Sequence, residues 1–199
     1  MSKKETVQEA VIERIIIELE GVTPLISNKR REPEYGDNDP ESKRDPVRQF
    51  IDSIHWVKGE PREYTMEAFN EAIENGAIFG FPARGFRKAA ASAGHRVKLV
   101  KNAVETLAMF SVVDEYTIIN AVPIMRHDTV CIGRKVPAPR YRAEFTNWST
   151  KLAIDYNAGV IPLAKLLNVF NHAGFSVGVG DWRPEKGGDF GKFRLAKTV

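Results

Sequence analysis

The sequence is poor in the residues from which catalytic and covalent signatures are built. A single cysteine, Cys131, in 199 residues excludes an internal disulfide and suits a reducing compartment. No run of eighteen apolar residues exists to cross a membrane, and the opening MSKKETVQEA lacks the apolar core of a secretory signal. Both absences point to a soluble, cytoplasmic chain without a membrane partner. The four histidines, His55, His95, His127 and His172, show no H-E-x-x-H spacing, and no cysteine pair accompanies them. His127, Asp128 and Cys131 come nearest to a metal corner, but three mixed residues in a loop do not make a ligand set. There is no G-x-S-x-G elbow and no Walker loop. Gly178-Val179-Gly180 has Arg183 where the later glycine of a dinucleotide fingerprint belongs, and no helix follows. The expectation is a protein that is not an enzyme, with no catalytic residue, metal or cofactor.

What the chain does have is core material and segregated charge. At 43% hydrophobic residues it can bury one good core, so residues 1–199 read as a single domain. The net charge is only +3, yet the acid-free windows 75–104 and 129–143 hold ten Lys and Arg residues between them. Segregation of this kind is how the electrostatic footprint for a polyanion shows in a sequence, although a solvated basic face would look the same.

Hydrophobic periodicity gives the order of elements. AVIERIIIELEG alternates, with Val11, Ile15, Ile17 and Leu19 on one side and Arg14, Glu18 and Glu20 on the other, which predicts a strand ending near Gly21. Residues 27–46 are polar, charged and aperiodic, and read as an insertion outside the core. A short helix follows Thr65, and FPARGFRKAAASAG predicts a helix that starts at Pro82. Residues 122–147 read as an irregular, proline-bent hairpin. WSTKLAIDYN alternates as a strand, and IPLAKLLNVFNHAG is an amphipathic helix ending at Gly174. FSVGVG and FGKFRLAK look like the arms of a closing hairpin. Reduced to main elements, the order is βαββαβ: an α+β, ferredoxin-like or RRM-like core with an antiparallel sheet and two large insertions.

Two segments carry the candidate site. Arg84, Arg87 and Lys88 lie at i, i+3 and i+4 on one helical face, leaving Phe86, Ala89, Ala90 and Ala93 for the buried side. Cations in a first turn oppose the helix dipole, a cost that a bound phosphate would relieve; pairing of Arg84 with an acid is the alternative. The C-terminal GVGDWRPEKGGDFGKFRL holds five glycines together with Trp182, Arg183 and Lys186. Such a loop can stack an unpaired base and bring main-chain N–H groups to its phosphates, or it can be a glycine-rich turn with Trp182 as a packing anchor. The basic windows add Arg96, Lys98, Lys101, Arg140 and Arg142 as candidate backbone contacts.

With this order of elements, GVTPLISN, FGFPARGFRKAAASAG and VGVGDWRPEKGGDFGKFRL together resemble the RAMP superfamily, the RRM-like subunits of CRISPR effector complexes. The resemblance is closest in style to the backbone subunit that polymerises along guide RNA, and extends to phage proteins of the same pattern. Pro82, Arg84, Arg87 and Lys88 match a P-x-S-x-x-[KR]-x-x-x-R-like helix start, with Ala83 as a departure from it. The resemblance implies non-catalytic, largely sequence-independent binding of single-stranded nucleic acid by a protomer that self-associates into helical oligomers. It also makes 122–147 a projecting thumb hairpin. Two other readings stand beside it: a RAMP-type endoribonuclease using a histidine such as His55 or His127, and a protein–protein module acting on a CRISPR complex.

Overall fold

The computed structural model describes residues 9–29, 45–96, 98, 101–132 and 136–196; most of the 27–46 insertion therefore lies outside the described residues. In chain order the elements are β1 (Ile12–Gly21), β2 (Leu25–Ser27), α1 (Pro46–Asp52), β3 (His55–Lys58), α2 (Met66–Glu74), β4 (Ile78–Pro82) and α3 (Ala83–Arg96). There follow α4 (Ala103–Met109), β5 (Phe110–Val112), β6 (Tyr116–Ile118), β7 (Ile124–Ile132), β8 (Val136–Phe145), β9 (Ser149–Asn157), α5 (Leu163–Ser176) and β10 (Phe193–Leu195).

The central sheet runs β10-β1-β9-β5, and each pairing is antiparallel. Taking β1, α3, β5, β9, α5 and β10 as the βαββαβ core, its strands stand in the order fourth, first, third, second. That is the ferredoxin-like arrangement, and the chain is α+β. Alternation decides which face is buried. Ile17 and Leu19 of β1 and Leu152, Ile154 and Tyr156 of β9 point into the core beneath α3 and α5. On α3 the buried side is Phe86 with Ala89, Ala90 and Ala93, and these small residues let α5 approach with Leu166, Val169, Phe170 and Ala173.

The opposite face of this sheet is tiled with cross-strand ion pairs. Arg14 holds Asp155 through two bonds of 2.7 and 2.8 Å, Lys151 meets Glu18 at 2.8 Å, and Arg194 meets Glu20 at 3.1 Å. Charge there is matched and exposed, so each pair adds little stability and the face attracts no net counter-charge.

The remaining strands form two further three-stranded sheets, β2-β8-β7 and β3-β4-β6. Segment 122–147 is more regular than its prolines suggest: β7 and β8 pair in unbroken register from Ile124↔Glu144 to Ile132↔Val136. Pro137 and Pro139 are tolerated because β2 covers β8 only from Ala143 to Phe145, so their missing N–H groups belong to an open edge. Ser27, taken as the start of an excluded insertion, is buried in β2, where its hydroxyl donates to Ser53 O at 2.8 Å.

Two expectations at the C-terminal end fail. FSVGVG is not a strand: Phe175 and Ser176 complete α5, and Val177 and Val179 are buried in a loop. β10 pairs with β1 instead, through Leu19↔Leu195 and Gly21↔Phe193. Gly174 does not end α5 but lies within it, where a Cβ would stand 1.8 Å from Phe193 O. Close packing of helix on strand, not helix termination, requires that glycine.

Candidate nucleic-acid interface

The start of α3, the end of β2, the β3-β4-β6 sheet and the C-terminal loop meet around a cleft of about 680 Å³. β4 runs straight into α3, and the Ala83 amide donates to Glu115 O at 2.9 Å. Pro82 has neither an amide to donate nor a side chain that could cap, so the amides of Arg84 and Gly85 have no acceptor within the helix. Arg84 and Lys88, one turn apart and exposed, line the cleft with Lys29, which its own amide anchors to Ser53 O at 3.0 Å. None of the three forms an ion pair among the described residues.

The acids on the cleft wall, by contrast, are occupied. Asp181 accepts from Asn28 Nδ2 and from Arg142 Nη1, each at 2.8 Å. Glu185 accepts from Ser92 Oγ at 2.9 Å and from Arg183 Nη2 at 2.8 Å, and pairs with Arg96 at 3.2 Å. Burial works to raise the Glu185 carboxyl, but the bonds from Arg183 and Ser92 outweigh it and hold the group below its usual range. The cleft potential is thus left to Lys29, Arg84 and Lys88.

His55, on β3, lines the same cleft with its ring 5.6 Å from Tyr116 and 6.0 Å from Phe81. Burial first, then the charges of Lys29 and Arg84, push its pKa down to about 4, so the ring is neutral at pH 7. Its Nδ1 is buried without a hydrogen-bond partner among the described residues.

No protein-family model matches the chain, and no curated protein is detectably similar to it in sequence. Among solved structures, the crystal structure of Cmr6 from Pyrococcus furiosus matches over 93% of this chain and 98% of that one, at 9% identity and a TM-score of 0.44. The strand order of the central sheet, not this likeness, defines the fold described above.

The candidate residues separate into distinct groups. Arg84 and Lys88 come together at the cleft as the helical spacing requires. Arg87 does not join them: half-buried, it donates to the carbonyl oxygens of Leu107 and Phe110, fastening α3 to the end of α4 and the start of β5. Arg96 and Arg183 share Glu185, which ties α3 to the C-terminal loop, although Arg183 still borders the cleft. Lys98, Lys101 and Lys186 are exposed and are not part of the cleft lining. Arg140 is exposed on β8, across from Asp128 in register.

Arg142 departs furthest from expectation. It is buried, and its guanidinium bridges Asp128 at 2.7 Å and Asp181 at 2.8 Å. Arg126 completes the cluster, pairing with Asp128 at 2.9 Å and Glu144 at 2.5 Å. Burial would raise the Asp128 carboxyl, but the bonds from Arg126 and Arg142 hold it below the ordinary range. This cluster locks the β7–β8 hairpin to the C-terminal loop. It also disposes of the imagined metal corner, because Asp128 is committed to arginines and His127 stacks on Tyr141 with ring centroids 4.7 Å apart. No cluster of metal-ligating residues occurs among the described residues, and no described helix is long and apolar enough to cross a membrane.

The glycine-rich loop uses its glycines on itself. Gly180 has φ +78°, and a Cβ there would meet Ile26 O at 2.5 Å; one on Gly191 would meet Val179 O at 1.8 Å. The amides of Gly178, Val179 and Asp181 donate to Ala173, Gly191 and Ile26 carbonyls. Most loop amides are thus spent within the fold, and its main chain forms a wall of the cleft; the amides of Gly180 and Arg183, like those of Arg84 and Gly85 on α3, have no acceptor among the described residues. Trp182, at φ +54°, is about half exposed, with the Arg142 guanidinium 5.9 Å from its ring. Lys29 and Tyr116 were missed by sequence reasoning, and His55 was singled out only as a histidine that a nuclease could use. Lys29 was hidden in a charged insertion, and the two rings flank the small Gly80 of FGFP, the one local signal that could have drawn attention to them.

Proposed function

We propose that the cleft binds the backbone of single-stranded nucleic acid, non-catalytically and with little regard to sequence. The observation that carries this reading is the convergence of Lys29, Arg84 and Lys88, none ion-paired among the described residues, on an open cleft at the uncapped start of α3. Phosphates suit such a site because cations and helix amides act together on one anion. The open face of the central sheet offers no competing site, its charges being matched in pairs. Cleavage is the weaker reading. His55 lines the cleft, but nothing hydrogen-bonds its Nδ1 to fix a tautomer, and none of the other histidines lines the cleft.

The test is fluorescence anisotropy with a labelled oligothymidylate over a range of salt concentrations. With about 0.7 counterions released per phosphate contact, three cations give a slope near −2 in log K against log salt. Salt-independent affinity, or none, overturns the reading, and appearance of cleaved product would replace it with the nuclease alternative.

Assembly along a strand belongs to the same proposal, because one domain-sized cleft covers only a few nucleotides. The distal part of the β7–β8 hairpin, beyond Asp128 and Arg140, is the element proposed to reach a neighbouring protomer. Excising all of 129–142 would remove the buried Arg142 and so confound the result. Joining Val130 to Ala138, which face each other in register, shortens the hairpin while keeping Arg142. Sedimentation should then show loss of strand-length-dependent oligomers with single-site affinity retained. A wild-type protein that stays monomeric on long strands would rule assembly out.

A further inference from the structure

The β3-β4-β6 sheet borders the cleft with His55, Pro82 and Tyr116. Antiparallel partners share a face, so the pairs His55↔Gly80, Gly80↔Ile118 and Pro82↔Tyr116 put His55, Gly80, Tyr116 and Ile118 on the same side. Ile118 is exposed, and His55 and Tyr116 are only half-buried although their rings stand at the centre of this surface. Between the two rings the middle strand presents Gly80. A Cβ there would lie 2.7 Å from Val57 Cγ2 and 3.3 Å from Tyr116 Cβ. That space is already taken by Val57 and Tyr116, so no side chain intrudes beside the two rings, which touch with centroids 5.6 Å apart and planes tilted by 45°. Both rings border the cleft that also carries Arg84 and Lys29.

We propose that the aromatic shelf formed by the His55 and Tyr116 rings at the cleft takes a nucleobase on its exposed face, so that the cleft holds a nucleotide by its base as well as by its phosphates. The inference rests on the nucleic-acid reading above and deepens it. The chemistry of the occupant follows from the two halves of the site. Cations at the rim that no described acid pairs call for an anion, and flat half-exposed rings beside them accept a flat unsaturated ring. A nucleotide with an unpaired base has both within its own length. An inorganic phosphate or an acidic peptide would use the rim and leave the shelf empty. Burial and the flanking cations keep His55 uncharged at neutral pH, which suits stacking. Because every base has a stacking face, the shelf needs no particular sequence.

The experiment uses the full chain and two strands of equal length and phosphate count, one an oligothymidylate and the other built from abasic spacers. The intact strand should bind about tenfold more tightly. Tyr116→Leu, which keeps an apolar side chain but removes the ring, should close that gap while leaving affinity for the abasic strand unchanged. In a parallel measurement, 2-aminopurine within a bound strand should lose emission on the wild-type protein. That readout stands by itself if the variant does not fold. Equal affinity of wild type for the two strands overturns the shelf and leaves the phosphate site standing. A gap that Tyr116→Leu does not alter, or 2-aminopurine emission unchanged at saturation, overturns it as well. No binding of either strand overturns the nucleic-acid reading and the shelf together.

Discussion

The two acid-free basic windows look alike in sequence and differ in the fold. In the first, Arg84 and Lys88 stand at the cleft without an ion-pair partner among the described residues. In the second, Arg142 is buried between Asp128 and Asp181, and Asp128 is shared with Arg126. Neither carboxylate lies inside the window of the arginine it neutralises; antiparallel pairing and a loop nearly forty residues away in sequence bring them there. Local charge density therefore says where cations are made, and topology says which remain available. One window is an interface candidate, and the other is a structural lock.

The largest expected effect tests the lock. Arg142→Ala removes the buried cation that faces Asp128 and Asp181 and leaves two part-buried carboxylates, one still held by Arg126, so the loss should approach about 3 kcal/mol, the lower end for a buried pair broken from one side. Urea unfolding should show that loss. Stability unchanged within about 0.5 kcal/mol would mean that Arg142 is no more structural than an ordinary surface residue. The lock also has a pH sign. The Asp128 carboxyl is held below its unfolded value, so its stabilisation is complete above the unfolded carboxylate range and disappears as pH falls through the depressed folded value.

The converse variant, Lys29→Ala with Arg84→Ala and Lys88→Ala, should leave unfolding nearly unaffected and act on binding. Removing three phosphate contacts should flatten the salt slope by about two and lower affinity at least tenfold at low salt. Loss of stability comparable to that of Arg142→Ala would erase the distinction between the two windows.

A smaller effect comes from His55. Its pKa is lowered to about 4 from an unfolded value of 6.5, so the folded state binds fewer protons between those limits. Stability from this group is therefore fully present above pH 6.5 and falls as the pH is lowered toward 4, by roughly 1–2 kcal/mol after allowance for solvent at a half-exposed ring. A bound polyanion opposes Lys29 and Arg84, the charges that help depress the pKa, and so raises it. Affinity should rise as the pH drops from about 6 to 4.5, and His55→Gln should abolish that rise. A flat profile in wild type would separate His55 electrostatically from the ligand.

Much of the fold was legible because its elements are dictated locally. Thr65 caps α2 by accepting from the Ala68 amide at 3.1 Å, β9 alternates throughout and β1 from Arg14 to Leu19, and the alanines of α3 mark its buried face. These patterns need no knowledge of neighbours. The site was legible only in part, because its working residues are selected by contacts distant in sequence. Arg87 shares a helical face with Arg84 on a helical wheel, yet carbonyls from α4 and β5 absorb its guanidinium. The closing hairpin failed for a similar reason. FSVGVG has strand-like composition, but β1 had a free edge for β10, and Gly174 and Gly191 allowed the loop between to pack on backbone.

The smallest effect concerns the residue that joins the two halves of the comparison. Glu185 behaves toward the first window as Asp128 does toward the second, holding Arg183 and Arg96 through one carboxylate. Its arginines are far more exposed than Arg142, however, so they are lightly held. Glu185→Gln keeps the shape and a carbonyl acceptor for Ser92 while removing the charge. Arg183, already a lining residue, should then act on the ligand, and the cleft gains one unit of positive charge. A charge pair of this exposure contributes about 0.2–1 kcal/mol, so stability should fall only slightly. Affinity for a single strand should rise a few-fold at low salt, and the gain should vanish as screening increases. Raised affinity that persists at high salt would mean that the substitution reshaped the cleft. Lowered affinity would mean that Glu185 supports the binding geometry, and the cation at Arg183 would then belong with Arg142 as part of the lock.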